Sequence, residues 1–123
     1  MTVFRSSLVF AGLVSASCAS AAGLEGTWMR SDGNARVRIA PCGSNTCATN
    51  IWIKDTSSGE AVGDQLIMTL SRGAGDTFSG SAFDTKRKLT FNITIKVTEG
   101  ALDSRGCLVG KMICRQMSWR AVR

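Results

Sequence analysis

The chain has no histidine, no tyrosine, a single proline and, over 123 residues, only 7% aromatics. Without histidine, neither a Ser-His nor a Cys-His pair can form, so hydrolysis by that route is excluded. Carboxylate catalysis needs two converging acids. Here Asp32, Asp55, Asp76, Asp84 and Asp103 fall in turn-like segments at unrelated places, where aspartate ordinarily hydrogen-bonds its own backbone. Gly73-Ala74-Gly75 is not followed by the Gly-Lys-Ser/Thr of a phosphate loop and reads as a hairpin turn. No aromatic platform interleaves the basic residues, which argues against nucleic acid. No linker, repeat or low-complexity tract divides the chain after Gly23. These absences favour a binding protein over an enzyme and imply no cofactor or metal.

What the chain does have is cysteine. Of its five, Cys18 lies in an N-terminal stretch where Arg5 is the only charge before Glu25, Leu8 to Val14 is mostly apolar, and small residues crowd Ala16 to Gly23. That is the layout of a secretory signal. Cleavage at Ala19-Ser20-Ala21 or after Ala22 assigns residues 1–22 to a signal helix outside the fold and 23–123 to one domain of about 100 residues. The apolar run is too short to span a bilayer, so no transmembrane segment is expected. The expected location is periplasmic or secreted. Lipidation at Cys18 is the lesser alternative, because Ser15 stands where a lipoprotein signal carries Leu. Loss of Arg5 takes the formal charge from +6 to +5, a moderately basic domain.

The four remaining cysteines, an even number, fit disulfides in an oxidising compartment. Cys42 and Cys47 flank a turn, and Cys107 and Cys114 bracket Leu108 to Ile113 in the same way, so spacing favours these two bridges. The two long-range pairings stay open on sequence alone. Gaps of four and six residues are a poor match to the closer spacing of structural zinc ligands. Pro41 cannot donate to a ladder and suggests a bulge beside the first pair.

The pattern is all-β. From Leu89 to Val97, apolar Leu89, Phe91, Ile93, Ile95 and Val97 alternate with Lys88, Thr90, Asn92, Thr94 and Lys96, a strand with one wet face. Weaker runs of the same habit are residues 35–39, 47–53, 66–70, 77–83 and 112–122, separated by Gly, Asn, Asp and Ser turns. Strands at such intervals point to an antiparallel up-and-down barrel of about eight strands, since closure removes exposed edges. The segment Gly63 to Leu70 is alternatively a short helical lid.

A set of short motifs runs through this pattern: Gly26-Thr27-Trp28; Val37-Arg38-Ile39-Ala40-Pro41-Cys42-Gly43 with Cys47 and Ile51-Trp52; Val62-Gly63; Phe78-Ser79-Gly80; Arg105-Gly106-Cys107; and Cys114-Arg115 with Trp119 and Arg120. In order and spacing they resemble the exported bacterial family called domain of unknown function 2147, from about Leu24 to the C-terminus. The resemblance implies a small lipocalin-like β-barrel and no established activity. Gly26-x-Trp28 on the first strand with Arg120 near the end of the last resembles the lipocalin pattern, which implies barrel closure by these residues with the arginine lying over the indole. The sequence departs from the family pattern at Ala48, where Gly is common, and at Asp84 to Lys88, which lacks the usual Pro and Tyr.

Two functions follow from such a scaffold. In the first, the barrel holds a small apolar or amphipathic molecule, with Ile51, Trp52, Ile53, Leu66, Met68, Phe91, Ile93, Ile95, Met117 and Trp119 as candidate lining; an interior filled by its own side chains is the competing expectation. In the second, the exterior meets an envelope protein or anionic surface through Lys86, Arg87, Lys88, Arg72, Arg36 and Arg38. The oligomeric state is not encoded legibly.

Overall fold

The expected alternation closes into a cylinder. The computed structural model describes residues 23–110 and 112–123; the expected signal segment, with Cys18, lies outside them. The strands are β1 (Gly26–Arg30), β2 (Ala35–Cys42), β3 (Asn45–Ile53), β4 (Gln65–Arg72), β5 (Thr77–Asp84), β6 (Leu89–Thr98), β7 (Ala101–Leu108) and β8 (Cys114–Ala121). Each pairs antiparallel with the next, and β8 returns to β1 to complete a closed eight-stranded barrel. The closing seam is short, running from Trp28 opposite Ala121 to Arg30 opposite Trp119, and is extended by Ser31 N–H donating to Ser118 O at 2.9 Å. No helix among the described residues is long and apolar enough to cross a membrane.

On β6 the sequence pattern becomes burial directly. Ile93 and Ile95 are buried while Asn92, Thr94 and Lys96 face solvent. β7 is hidden in the sequence because its inward series from Leu102 to Leu108 passes through Ser104 and Gly106, which carry no apolar signal. The helical lid over Gly63 to Leu70 is not formed. Residues from Gln65 onward are β4, laddered to β3 on one side and β5 on the other, which satisfies their backbone groups better than one isolated helical turn would. The only 3-10 turn among the described residues is Thr56–Ser58, capped by the Asp55 carboxylate accepting from Ser57 N–H at 2.9 Å.

The bulge sits elsewhere than Pro41, which pairs regularly with Thr46. It lies between Arg36 and Val37, whose partners on β3 are Trp52 and Asn50, leaving Ile51 as the extra residue. One inserted residue reverses the facing of everything beyond it. Trp52, which would continue the inward series of Ala48 and Asn50, is turned to the outer surface, where the Arg36 guanidinium lies 5.1 Å from its ring centroid.

One end of the barrel is plugged. Leu24, Trp28 and Phe78 are buried there, and the Trp28 indole N–H donates to Leu24 O at 2.9 Å. Arg120 does not cover this indole. It pairs with Met29 at the seam and points outward, because alternation on β8 sends Trp119 inward. An arginine does cap this end, but it is Arg72, 5.3 Å above the Phe78 ring and ion-paired to Asp76 at 2.7 Å. Gly80 on β5 allows the close approach of β4, since a Cβ there would sit 1.9 Å from Thr69 O.

Both disulfides form as the spacing favours. Cys42–Cys47 staples the β2–β3 hairpin at the plugged end (Cα–Cα 5.7 Å), and Cys107–Cys114 joins directly opposed residues of β7 and β8 at the other end (Cα–Cα 4.0 Å). Two cystines are the signature of an oxidising compartment.

Candidate functional site: the barrel interior and its mouth

Up-and-down topology gathers the β1–β2, β3–β4, β5–β6 and β7–β8 connections at the end opposite the plug. There the interior opens into a cavity of about 590 Å³ to which all eight strands contribute. This falls in the range of small-molecule sites. The lower wall is apolar, built from Val37, Ile39, Met68, Ile93, Ile95 and Leu102, all buried.

The rim is polar and organised by ion pairs. The Arg30 guanidinium meets Glu60 at 2.7 Å and Asp32 at 3.0 Å, and Glu60 also accepts from Asn34 Nδ2 at 3.0 Å. Asn34 further accepts from Asp55 N–H at 2.9 Å and donates to Asp55 O at 3.1 Å. On the far side Lys86 Nζ lies 3.3 Å from Asp64 and donates to Gly59 O at 3.0 Å. The β3–β4 loop is thereby tied to the β1–β2 turn on one flank and to the β5–β6 turn on the other, with Ser58, Glu60 and Asp64 facing the cavity.

These contacts set the charges. The hydrogen bond from Arg30 holds the Glu60 carboxyl below its ordinary value despite partial burial, and it lowers Asp32 in the same way. Arg30 itself is driven up by the Glu60 hydrogen bond against the opposing effect of burial. At Asp84, burial acts to raise the pKa, but hydrogen bonds from the backbone and guanidinium of Arg87 and the backbone of Lys86 together outweigh it, so the carboxyl stays low. That same carboxylate organises the β5–β6 turn, accepting from Lys86 N–H at 3.0 Å and Arg87 N–H at 3.1 Å.

The expected lining residues divide along the bulge. Leu66, Met68, Phe91, Ile93, Ile95, Met117 and Trp119 stand on the cavity wall, with the Trp119 indole N–H donating to Ser104 Oγ at 3.1 Å. Ile51 and Trp52 do not; both are exposed on the outer surface, and Ile53 lies opposite Ala35 away from the wall. Sequence reasoning missed Val37, Ile39, Leu102 and Arg115, although counting by two from Trp119 reaches Met117 and then Arg115. The basic residues expected to meet an anionic surface lie at separate places on the barrel. Arg72 caps the plugged end, Arg36 and Arg38 belong to the outside of β2, and Lys86 and Arg87 are ion-paired at the mouth. Among the described residues no group of acids and cysteines converges as a metal site.

A family model described as an uncharacterized protein conserved in bacteria, DUF2147, matches residues 26–121, from the first strand to the last. The chain belongs to DUF2147. No curated protein and no solved structure matches it. Within this DUF2147 barrel, Ala48 lines the cavity wall, and Asp84 and Arg87 line its mouth.

Proposed function

We propose that this protein is a non-catalytic carrier or sensor of the periplasm or secreted space, holding one small apolar or amphipathic molecule inside the barrel. The observation that carries the reading is the pairing of a plugged, apolar lower half with an open cavity of about 590 Å³ under a polar rim. Burying an apolar chain against such a wall yields roughly 25 cal/mol per Å² removed from water. The test is a fluorescence titration with an apolar probe on wild type and on Gly106→Leu. Gly106 lines the cavity, and a Cβ there meets Phe91 Cβ at an ordinary 3.9 Å, so a side chain can start from this position without a clash at its first carbon. Loss of probe binding with the fold intact supports the reading, and unchanged affinity places the probe elsewhere.

A second reading, contact with an envelope protein, is favoured by one feature. Val109, Met112 and Ile113 are exposed at the β7–β8 turn beside the mouth. They give the exterior an apolar tip.

A further inference from the structure

Three arginines line the cavity, and two of them are spent on carboxylates. Arg30 is held by Glu60 and Asp32, and Arg87 by Asp84. Among the described residues no ion pair or side-chain hydrogen bond engages the third, Arg115. Arg115 is an exposed residue at the cavity mouth, and the ladder sets its backbone position on β8. Below it, Met117 and Trp119 share its inward face. Next to it, Cys114 is bridged to Cys107, and directly across the ladder stands Gly106, which presents no side chain to the cavity.

We propose that Arg115 is the anchor for the acidic head group of a single-chain amphipathic ligand, a carboxylate or phosphate whose hydrocarbon chain descends along Met117 and Trp119. The inference rests on the cavity-binding reading above and names the ligand class. Guanidinium suits this role because its planar fork meets two oxygens of a carboxylate or phosphate at once. Trp119 lies four residues deeper on the same strand, about 13 Å at the usual strand rise of ~3.3 Å per residue, which is room for a chain and not for a compact head alone. The acids at the rim are already engaged by their own cations and backbone donors, so an incoming anion meets one unspent positive group at the top of an apolar wall.

The test uses the disulfide-bonded protein with four probes sharing one chain: dodecanoate, dodecyl phosphate, dodecanol and dodecyltrimethylammonium. Binding is followed by Trp fluorescence for wild type, Arg115→Gln and Arg120→Gln. Arg120 sits on the outer face of the same strand, so its variant removes the same charge without touching the cavity. Wild type is expected to bind one or both anions about tenfold more tightly than dodecanol, the increment of one charge-assisted hydrogen bond. Arg115→Gln should erase that preference while leaving dodecanol affinity in place, and Arg120→Gln should preserve both. The stronger of the two anions tells a carboxylate ligand from a phosphate. Dodecanol binding with no preference for either anion, or equal losses in both variants, overturns the head-group assignment and leaves the cavity reading standing. Failure of all four probes to bind overturns both.

Discussion

Replacing Glu60 by glutamine tests whether the β3–β4 loop is held across the mouth by charge. The Arg30–Glu60 contact is 2.7 Å between side chains only 11% and 23% exposed. At an effective dielectric of about 20 the Coulomb attraction at that distance is about 6 kcal/mol. Desolvation offsets much of it, and charge-assisted hydrogen bonds of this type net about 1.5–3 kcal/mol. The amide of Glu60→Gln would keep a neutral acceptor for Asn34, so the expected loss at pH 7 is about 2 kcal/mol, or about 10 °C in Tm for a domain of this size. The pH dependence is the sharper part. Glu60 is held below its ordinary 4.5 in the folded state, so its contribution is fully present above that value and is lost as pH falls through the depressed one. Asp84 contributes with the same sign and, being outside this network, cancels in the comparison, whereas Asp32 shares Arg30 with Glu60 and responds to the substitution. Urea denaturation of wild type and variant at pH 7 and pH 3 should therefore show a gap of about 2 kcal/mol at pH 7 that narrows as pH falls below 4.5. A gap that persists undiminished at pH 3, or one below about 0.5 kcal/mol at pH 7, would refute the electrostatic tethering of the loop.

Gly80→Ala should cost about 3 kcal/mol in chemical denaturation, because the new Cβ meets the Thr69 carbonyl at 1.9 Å and backbone must move; a neutral result would mean that β4 and β5 are not so close. Removing the Cys107–Cys114 bridge as a double Ser variant should cost about 2 kcal/mol by chain entropy, read as a shifted urea midpoint, with wild type under reductant losing at least as much. Trp52→Ala should lose about 1 kcal/mol of stacking on Arg36 yet leave ligand affinity unchanged in the same titration, since the ring is outside the barrel.

Legibility in the sequence follows side-chain contrast. β6 is readable to the residue because five apolar positions alternate with polar ones, and the barrel follows from strands and turns of even spacing. β7 is not, since Ser104 and Gly106 face inward without an apolar signature and only the ladder to β6 and β8 reveals them. Trp52 is misplaced by simple alternation because a bulge changes facing by one residue and leaves no local mark in Asn50-Ile51-Trp52. The disulfides are favoured by spacing alone, as hairpin pairs need no long-range information. By contrast, the plug depends on tertiary position. Arg72 reaches Phe78 from the neighbouring strand, whereas Arg120, the residue that the lipocalin pattern suggests, faces outward. The mouth is least legible, because its ion pairs join three connections distant in sequence, such as Arg30 with Glu60 and Asp64 with Lys86.

Carriage requires that the barrel interior be occupied in use, and native mass spectrometry of the protein taken from bacterial cells without denaturant tests this most directly. The expected spectrum shows a complex heavier than the disulfide-bonded chain by one small amphipathic acid, released on unfolding and absent from Gly106→Leu. A wild-type spectrum showing only the bare chain, under conditions that preserve non-covalent complexes, would contradict it.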